Sequence, residues 1–267
     1  MKRDLHLGEI PGVIREWLGE ITNLVAPAQG CTSRLAVIEA ERGMFVLKQS
    51  ADPLFARWLA REQQVLHWLV QTVLPVPRPR LFVEDGGGMW LLMDYLPGES
   101  MTETLSRAPG GTRTSLMHNF GAVLAAIHAT PPPPGMPLQT AAEWLDAALE
   151  TGAMHLRDFR NLYNDPELPD LLARLRQEQP ATVPATLIHG DFTTDNVLVA
   201  EGRITGVIDW AGGAVGDPRY DLALAFDADE EEIALTAEEM AAFFAGYGGA
   251  PLSESERQYF LDLYELY

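Results

Sequence analysis

Residues 196–208 fold the mainly helical second part of the sequence back on itself. Asn196 to Ala200 and Arg203 to Ile208 are two short strand-like runs separated by Glu201-Gly202, a turn pair, and they read as a hairpin. An antiparallel ribbon returns its last residue to the level of its first, so Asn196 and Asp209 are expected at the same end. Asp191 lies in the loop feeding that end, His189-Gly190-Asp191-Phe192-Thr193-Thr194-Asp195. Three oxygen-bearing side chains thus converge without any long-range assumption.

The chain on either side of residues 96–98 differs in character. Before Leu96-Pro97-Gly98 the sequence reads as strands interrupted by one helix. Leu35–Ala40 and Phe45–Gln49 flank a turn with Gly43, and residues 80–84 and 89–95 flank Asp85-Gly86-Gly87-Gly88. Between these hairpins, Asp52-Pro53 starts a helical pattern carrying Trp58, Leu59, Val65, Leu66 and Leu69 on one stripe. Beyond the break, helices are expected over roughly 113–129, 139–150, 166–178, 218–227, 236–247 and 253–265. The proline run Pro131–Pro134 stops the first of them. The expected class is α+β: a small antiparallel-sheet lobe over 1–93, a hinge over 94–98 and a larger, mainly helical lobe over 99–267.

Charge narrows the partners. The formal net charge of −19 is divided as −1 over residues 1–98 and −18 over 99–267. So acidic a chain has no broad surface for neutralising phosphates, which argues against nucleic acid as a partner, and its second half would attract a cation. No apolar run is long enough to cross a bilayer, so no membrane partner is expected. The start is not that of a signal peptide, and a single cysteine, Cys31, permits no internal disulfide. A reducing cytoplasm is the expected setting.

An amide oxygen and a carboxylate, as on Asn196 and Asp209, suit a hard cation such as Mg²⁺. A further carboxylate can orient a hydroxyl and accept its proton. Phosphoryl transfer needs little beyond such positioning, metal ions on the phosphates and a base, and a kinase catalytic loop carries an Asp followed five positions later by an Asn. Asp191 and Asn196 have that spacing.

These residues resemble the aminoglycoside phosphotransferase family, a branch of the protein-kinase-like fold. Its catalytic loop is similar to His189-Gly190-Asp191 with Asn196, its metal-binding segment to Gly206-Val207-Ile208-Asp209-Trp210, and its following helix start to Gly216-Asp217-Pro218-Arg219-Tyr220-Asp221-Leu222-Ala223. The resemblance is sharpest over 187–226 and implies a two-lobed small-molecule kinase. It implies Asp191 as catalytic base and Asn196 and Asp209 as Mg²⁺ ligands. Asp217, just before Pro218, suits a helix N-cap, and Asp217 and Asp221 read as braces of the catalytic loop, as does His189.

The first lobe offers a separate check. Kinase chemistry uses a strand lysine on the nucleotide phosphates, paired with a helix glutamate. Lys48 shares a strand face with Met44 and Val46, and Glu62 lies on the apolar stripe of its helix. Taken alone these two are an ordinary snorkelling lysine and a surface glutamate; beside the catalytic loop they become a pair. Between the first two strands, Ala28-Gln29-Gly30-Cys31-Thr32-Ser33-Arg34 lacks a G-x-G-x-x-G pattern, leaving Gly30, Thr32 and Ser33 as phosphate neighbours. By resemblance, the purine of ATP or GTP would meet the backbone of Asp94 and Leu96, with Met93 lining the pocket.

The implied acceptor is a hydroxyl on a polar small molecule: an aminoglycoside, choline or another metabolite. The acidic residues Asp227 and Asp229–Glu232 point to an amine-bearing one, although such a run is equally a solvated helix cap. His118, His128 and His155 have no metal-ligand spacing and read as ordinary helix residues. Three rivals remain: an inert nucleotide-binding module, a metal-dependent phosphohydrolase using His189, Asp191 and Asp209, and a protein kinase. The catalytic set opposes the first, the Lys48–Glu62 pair the second, and the short span from Asp209 to Gly216 the third.

Overall fold

The computed structural model describes residues 4–27, 33–137, 168–226 and 234–264. They group into two compact units. One contains the chain up to Glu99 together with Leu198–Ala200 and Thr205–Gly212; the other contains Ser100–Val197, Glu201–Ile204 and Gly213 onward.

The first unit is built on an antiparallel sheet in the order β1-β2-β3-β5-β4, from Ile21–Val25 (β1), Arg34–Ala40 (β2), Gly43–Ser50 (β3), Pro79–Asp85 (β4) and Gly88–Asp94 (β5). Alternation along β3 decides what each face holds. Phe45 and Leu47 join Ala36, Ile38, Trp90 and Leu92 in a core with Ile14 and Leu18 of helix α1 (Gly12–Leu18). The intervening residues, Val46 and Lys48, lie on the opposite side, where β3 and β5 meet helix α2 (Pro53–Leu69). Helix α2 starts where the sequence places it: the Asp52 carboxylate accepts the Leu54 and Phe55 amides, and Pro53 fills the first helical position. Helix α1 escapes the sequence reading because seven residues give too short a window for periodicity.

Strand β6 (Glu99–Ser100) precedes helices α3 (Met101–Arg107) and α4 (Gly110–Ala129). The hairpin read from the sequence is present as β8 (Val197–Ala200) and β9 (Arg203–Val207), with β6 at its edge. Its turn has Glu201 at φ 51° and Gly202 at φ 72°, the pair of positive angles that a two-residue turn needs to match strand twist.

The second unit continues with helices α5 (Leu168–Gln177), α6 (Pro218–Leu224), α7 (Ala237–Tyr247) and α8 (Glu254–Tyr264). Two three-residue strands, β7 (Thr186–Ile188) and β10 (Ala214–Gly216), pair antiparallel; segments this short exist only through their pairing, and the sequence carries no signal for them. Ile188 and Ala214 from this ladder pack with Tyr220 and Leu224 of α6 and Tyr259, Phe260 and Leu263 of α8. Helix α6 ends at Leu224, before the 227 expected, with Ala225 as its cap. The expected helix at 139–150 lies outside the described residues, as do Gly30, Cys31, Thr32, His155 and the acidic run 227–232.

Helices α4 and α7 touch backbone to backbone. A Cβ added to Gly246 would fall 1.9 Å from the His118 carbonyl oxygen, and one on Gly121 would fall 2.0 Å from that of Phe243. Only hydrogen fits at either place. Gly246→Ala must push the helices apart, so it is expected to lower stability by about 1–3 kcal/mol, read as a drop in melting temperature; Gly248→Ala, with open space around it but a positive φ, tests strain without a clash.

Candidate active site

In the first unit, Lys48 is the centre of a charge triad. Its ammonium donates to both Glu62 oxygens, at 2.7 and 2.9 Å, and also to Asp209 Oδ1. Burial is graded: the side chains of Glu62 and Lys48 are 3% and 10% exposed, that of Asp209 48%. Glu62 reaches inward because it lies on the buried stripe of α2 with Leu59, Val65, Leu66 and Leu69.

Two carboxylates share one ammonium, so the cluster carries excess negative charge. Burial alone would pull the Lys48 pKa down, but the Asp209 and Glu62 carboxylates more than reverse this and hold the ammonium charged. Burial pushes the Glu62 carboxyl up, the Lys48 ammonium opposes this, and the Asp209 carboxylate adds to it. Asp209 is the exposed member and the one able to exchange its partner for another cation. Its backbone has φ 63°, a left-handed angle that Asp tolerates better than most residues.

Met93 is 3% exposed and pairs with Val46 across the ladder. Asp94 ends β5, where its amide donates to the Arg78 carbonyl and its carboxylate takes a bidentate ion pair from Arg80 at 2.5 and 2.7 Å. Leu96 follows, its side chain against Gly206. Ser33 is half-buried directly before β2.

In the second unit, Asp191 and Asn196 meet. The Asn196 amide nitrogen donates to the Asp191 carbonyl at 2.9 Å and to Asp191 Oδ2 at 2.8 Å. This ties down both the base candidate and its backbone, and it turns the Asn196 amide oxygen away from Asp191. Asp191 Oδ1 accepts from the Tyr264 hydroxyl of α8 at 3.0 Å. His189 is wholly buried, and its Nδ1 accepts the Asp191 amide at 3.2 Å, a bracing contact within the loop.

Asp221 holds this loop from below. Wholly buried on α6, it accepts the His189 amide at 2.7 Å and the Gly190 amide at 2.8 Å. His128 Nε2, at the end of α4, lies 3.1 Å from the same carboxylate, and His128 Nδ1 lies 3.0 Å from the Tyr247 hydroxyl of α7. Asp217 caps α6 by accepting the Arg219 amide and also pairs with the Arg219 guanidinium.

Sequence reasoning passed over two of these residues. His128 is joined to the loop's anchor through space, and nothing in its own helix marks it. Tyr264 falls within the helix expected over 253–265, where a tyrosine is as often a packing residue as a donor.

Asn196 in the second unit and Asp209 in the first each offer a side-chain oxygen of the kind a hard divalent cation takes. Asn196 directly precedes β8, and Asp209 is the second residue after β9.

The sequence pattern of the phosphotransferase enzyme family matches residues 24–259. An Escherichia coli aminoglycoside 3′-phosphotransferase is 27% identical over 83% of this chain and 80% of its own. A homoserine kinase of Phenylobacterium zucineum is 26% identical over 90% of this chain and 75% of its own. Among solved structures, an aminoglycoside 3′-phosphotransferase of type VIII superimposes with a TM-score of 0.79 at 25% identity, covering 96% of this chain and 97% of that one. A Streptomyces rimosus aminoglycoside phosphotransferase solved with ADP and streptomycin shares the fold, with a TM-score of 0.70 at 21% identity over 95% of both chains.

The two aspartates of α6 differ in what their loss exposes. Asp221→Ala strands two buried amides and His128, with an expected cost of about 3 kcal/mol or more, whereas loss of the Asp217 cap is expected to cost about 1–2 kcal/mol. Denaturant titration of both variants checks the ranking.

Proposed function

This chain belongs to the phosphotransferase enzyme family, and on that premise we propose that it transfers the γ-phosphate of ATP to a hydroxyl of an amine-bearing small molecule of the aminoglycoside class. The observation that carries the reading is Lys48, a buried lysine held between Glu62 and Asp209. A strand lysine paired with a helix glutamate is the phosphate-binding element of kinase-type phosphoryl transfer. A phosphohydrolase gives such a pair no task.

Each residue then has a role. Lys48 binds nucleotide phosphate oxygens, and Glu62 keeps its ammonium aimed and charged. Met93 and the backbone of Asp94 and Leu96 form the purine site, and the sequence assigns Gly30, Thr32 and Ser33 to the phosphates, the first two lying outside the described residues. Asn196 and Asp209 would hold Mg²⁺, which neutralises charge on the phosphates when bound. Asp191 orients the acceptor hydroxyl and takes its proton, with Asn196 fixing the carboxylate and Asp221 fixing the loop beneath it.

The acceptor class has two supports. Residues 99–267 carry a net charge of −18, which favours a cationic acceptor. The aminoglycoside 3′-phosphotransferases cover most of the chain. A homoserine acceptor is the second reading, favoured by the relative matching 90% of the chain; homoserine also bears an amine beside its hydroxyl. The proposed setting is cytoplasmic, where ATP is at hand; among the described residues no helix is long and apolar enough to cross a membrane.

The test is release of ADP, and of GDP from GTP, with Mg²⁺ and kanamycin, streptomycin, homoserine, choline or a neutral sugar. Turnover is expected with ATP and an aminoglycoside, to cease with EDTA and to return with added Mg²⁺. Turnover confined to neutral acceptors would sink the amine-bearing class. Asp191→Asn should lower kcat by about 10² to 10⁴ while leaving the melting temperature near that of the parent. Lys48→Met should weaken ATP binding and also destabilise the fold, because Glu62 is left buried without its cation, at a cost of about 3–5 kcal/mol. Pairing it with Glu62→Gln should recover much of the stability but not the binding.

A further inference from the structure

Asp191 presents two carboxylate oxygens, and the structure gives them different partners. Oδ2 accepts from an amide, the Asn196 side chain, at 2.8 Å. Oδ1 accepts from a hydroxyl, Tyr264, at 3.0 Å. A base that activates an acceptor alcohol must first accept a hydrogen bond from that alcohol, at about 2.6–3.2 Å. The Tyr264 contact has this chemistry and this length. The hydroxyl on Oδ1 is thus of the same kind as the group the reaction brings there.

The rest of the tyrosine shows how it is held. Tyr264 is the last residue of α8, and its ring packs edge-on against Tyr220 of α6, with centroids 6.3 Å apart, at the margin of the core formed by Tyr220, Phe260 and Leu263. The ring is anchored by packing, while the hydroxyl reaches past the core to the loop. A hydrogen bond to a partly exposed carboxylate can be exchanged for one from a ligand, since the net free energy of such bonds is small. Ring packing remains when the hydroxyl contact is given up.

Resting on the reading of Asp191 as the base, we propose that Tyr264 is a specificity-determining residue: its hydroxyl stands in for the acceptor on Asp191 Oδ1 and keeps water from taking that place. An acceptor alcohol anchored by its other groups displaces the tyrosine; a water molecule, with no other anchor, competes poorly. In the productive step the acceptor oxygen forms the new bond to the γ-phosphorus, the bond to the β–γ bridging oxygen breaks, ADP leaves, and the acceptor proton passes to Asp191. With water in the acceptor's place the same step yields inorganic phosphate and wastes ATP, which is the reaction Tyr264 suppresses.

Tyr264→Phe tests this directly, because it removes one oxygen and keeps the ring against Tyr220. Two quantities are read on the full chain with ATP and Mg²⁺: ADP release without acceptor, and the KM and kcat for kanamycin. Acceptor-free release is expected to rise about three- to tenfold, and the acceptor KM to fall by a similar factor, the change in kcat/KM being carried by KM. Unchanged acceptor-free release would overturn the proposal. So would a fall in kcat with KM unmoved, which would make Tyr264 a support for Asp191, or phosphate found on Tyr264 of the parent by mass spectrometry, which would make it a true acceptor. Tyr264→Leu, which removes ring and hydroxyl together, should raise acceptor-free release as Tyr264→Phe does; a rise in the Leu variant alone would assign the effect to packing and also overturn it. Asp191→Asn separates the two levels: if it retains acceptor turnover, the reading of Asp191 as base fails whatever Tyr264 does, whereas loss there with no effect of Tyr264→Phe removes only the stand-in.

Discussion

A single wholly buried carboxylate, Asp221, organises the loop that carries Asp191. Left without donors in the interior it would be strongly destabilising, so the fold must bring donors to it. The donors it receives are the backbone amides of His189 and Gly190, the two residues before Asp191, together with His128. They come from two elements: the two amides from the loop after β7, and His128 from the end of α4. Asp221 can sit there because α6 begins with a cap at Asp217 and a proline at its first position, which sets the phase of the helix and turns Asp221 inward one turn on. Tyr247 extends the connection to α7, whose backbone lies against α4 at Gly121 and Gly246. The position of Asp191 is therefore inherited from helix packing rather than from the loop's own conformational preference.

Electrostatic imbalance is the corresponding feature of the sheet unit. Burying Lys48 and Glu62 as an isolated pair would be close to neutral for stability, since desolvation offsets the attraction. The third member, Asp209, changes the character of the cluster. It is half exposed, it sits on a backbone held at a positive φ, and it gives the group one negative charge too many. An arrangement of this kind gains little as a structural staple. It is well suited to accept additional positive charge while presenting an ammonium to an anion, which is the combination a metal–nucleotide ligand requires.

How far the sequence foretells these features depends on whether the signal is local. The α2 start at Asp52-Pro53, the Glu201-Gly202 turn, the α6 cap at Asp217 and the inward face of β3 all follow from the chemistry of adjacent residues or from a period of two or 3.6. Glu62 was visible as a carboxylate on an apolar stripe, a conflict that only a buried cation resolves. By contrast, β7 and β10 have three residues each, and α1 and α3 seven; these lie below the length at which a pattern differs from chance, and they are stabilised by contacts made elsewhere in the chain. His128 and Tyr264 were invisible for the same reason. Their partners lie 93 and 73 residues away, and no spacing records such a distance.

By itself the sequence determined the α+β class, the hairpin that carries Asn196 and Asp209, the charge asymmetry between its two parts and the five-residue spacing of Asp191 and Asn196, because each rests on periodicity, turn chemistry or separations of a few residues. Tertiary structure alone decided that Lys48 holds two carboxylates rather than one, that His128 joins Tyr247 to the anchor of the Asp191 loop, and that a tyrosine hydroxyl occupies Asp191 Oδ1. Those are contacts between side chains from separate elements. They are set by how the helices and sheet pack, and packing depends on the whole core at once.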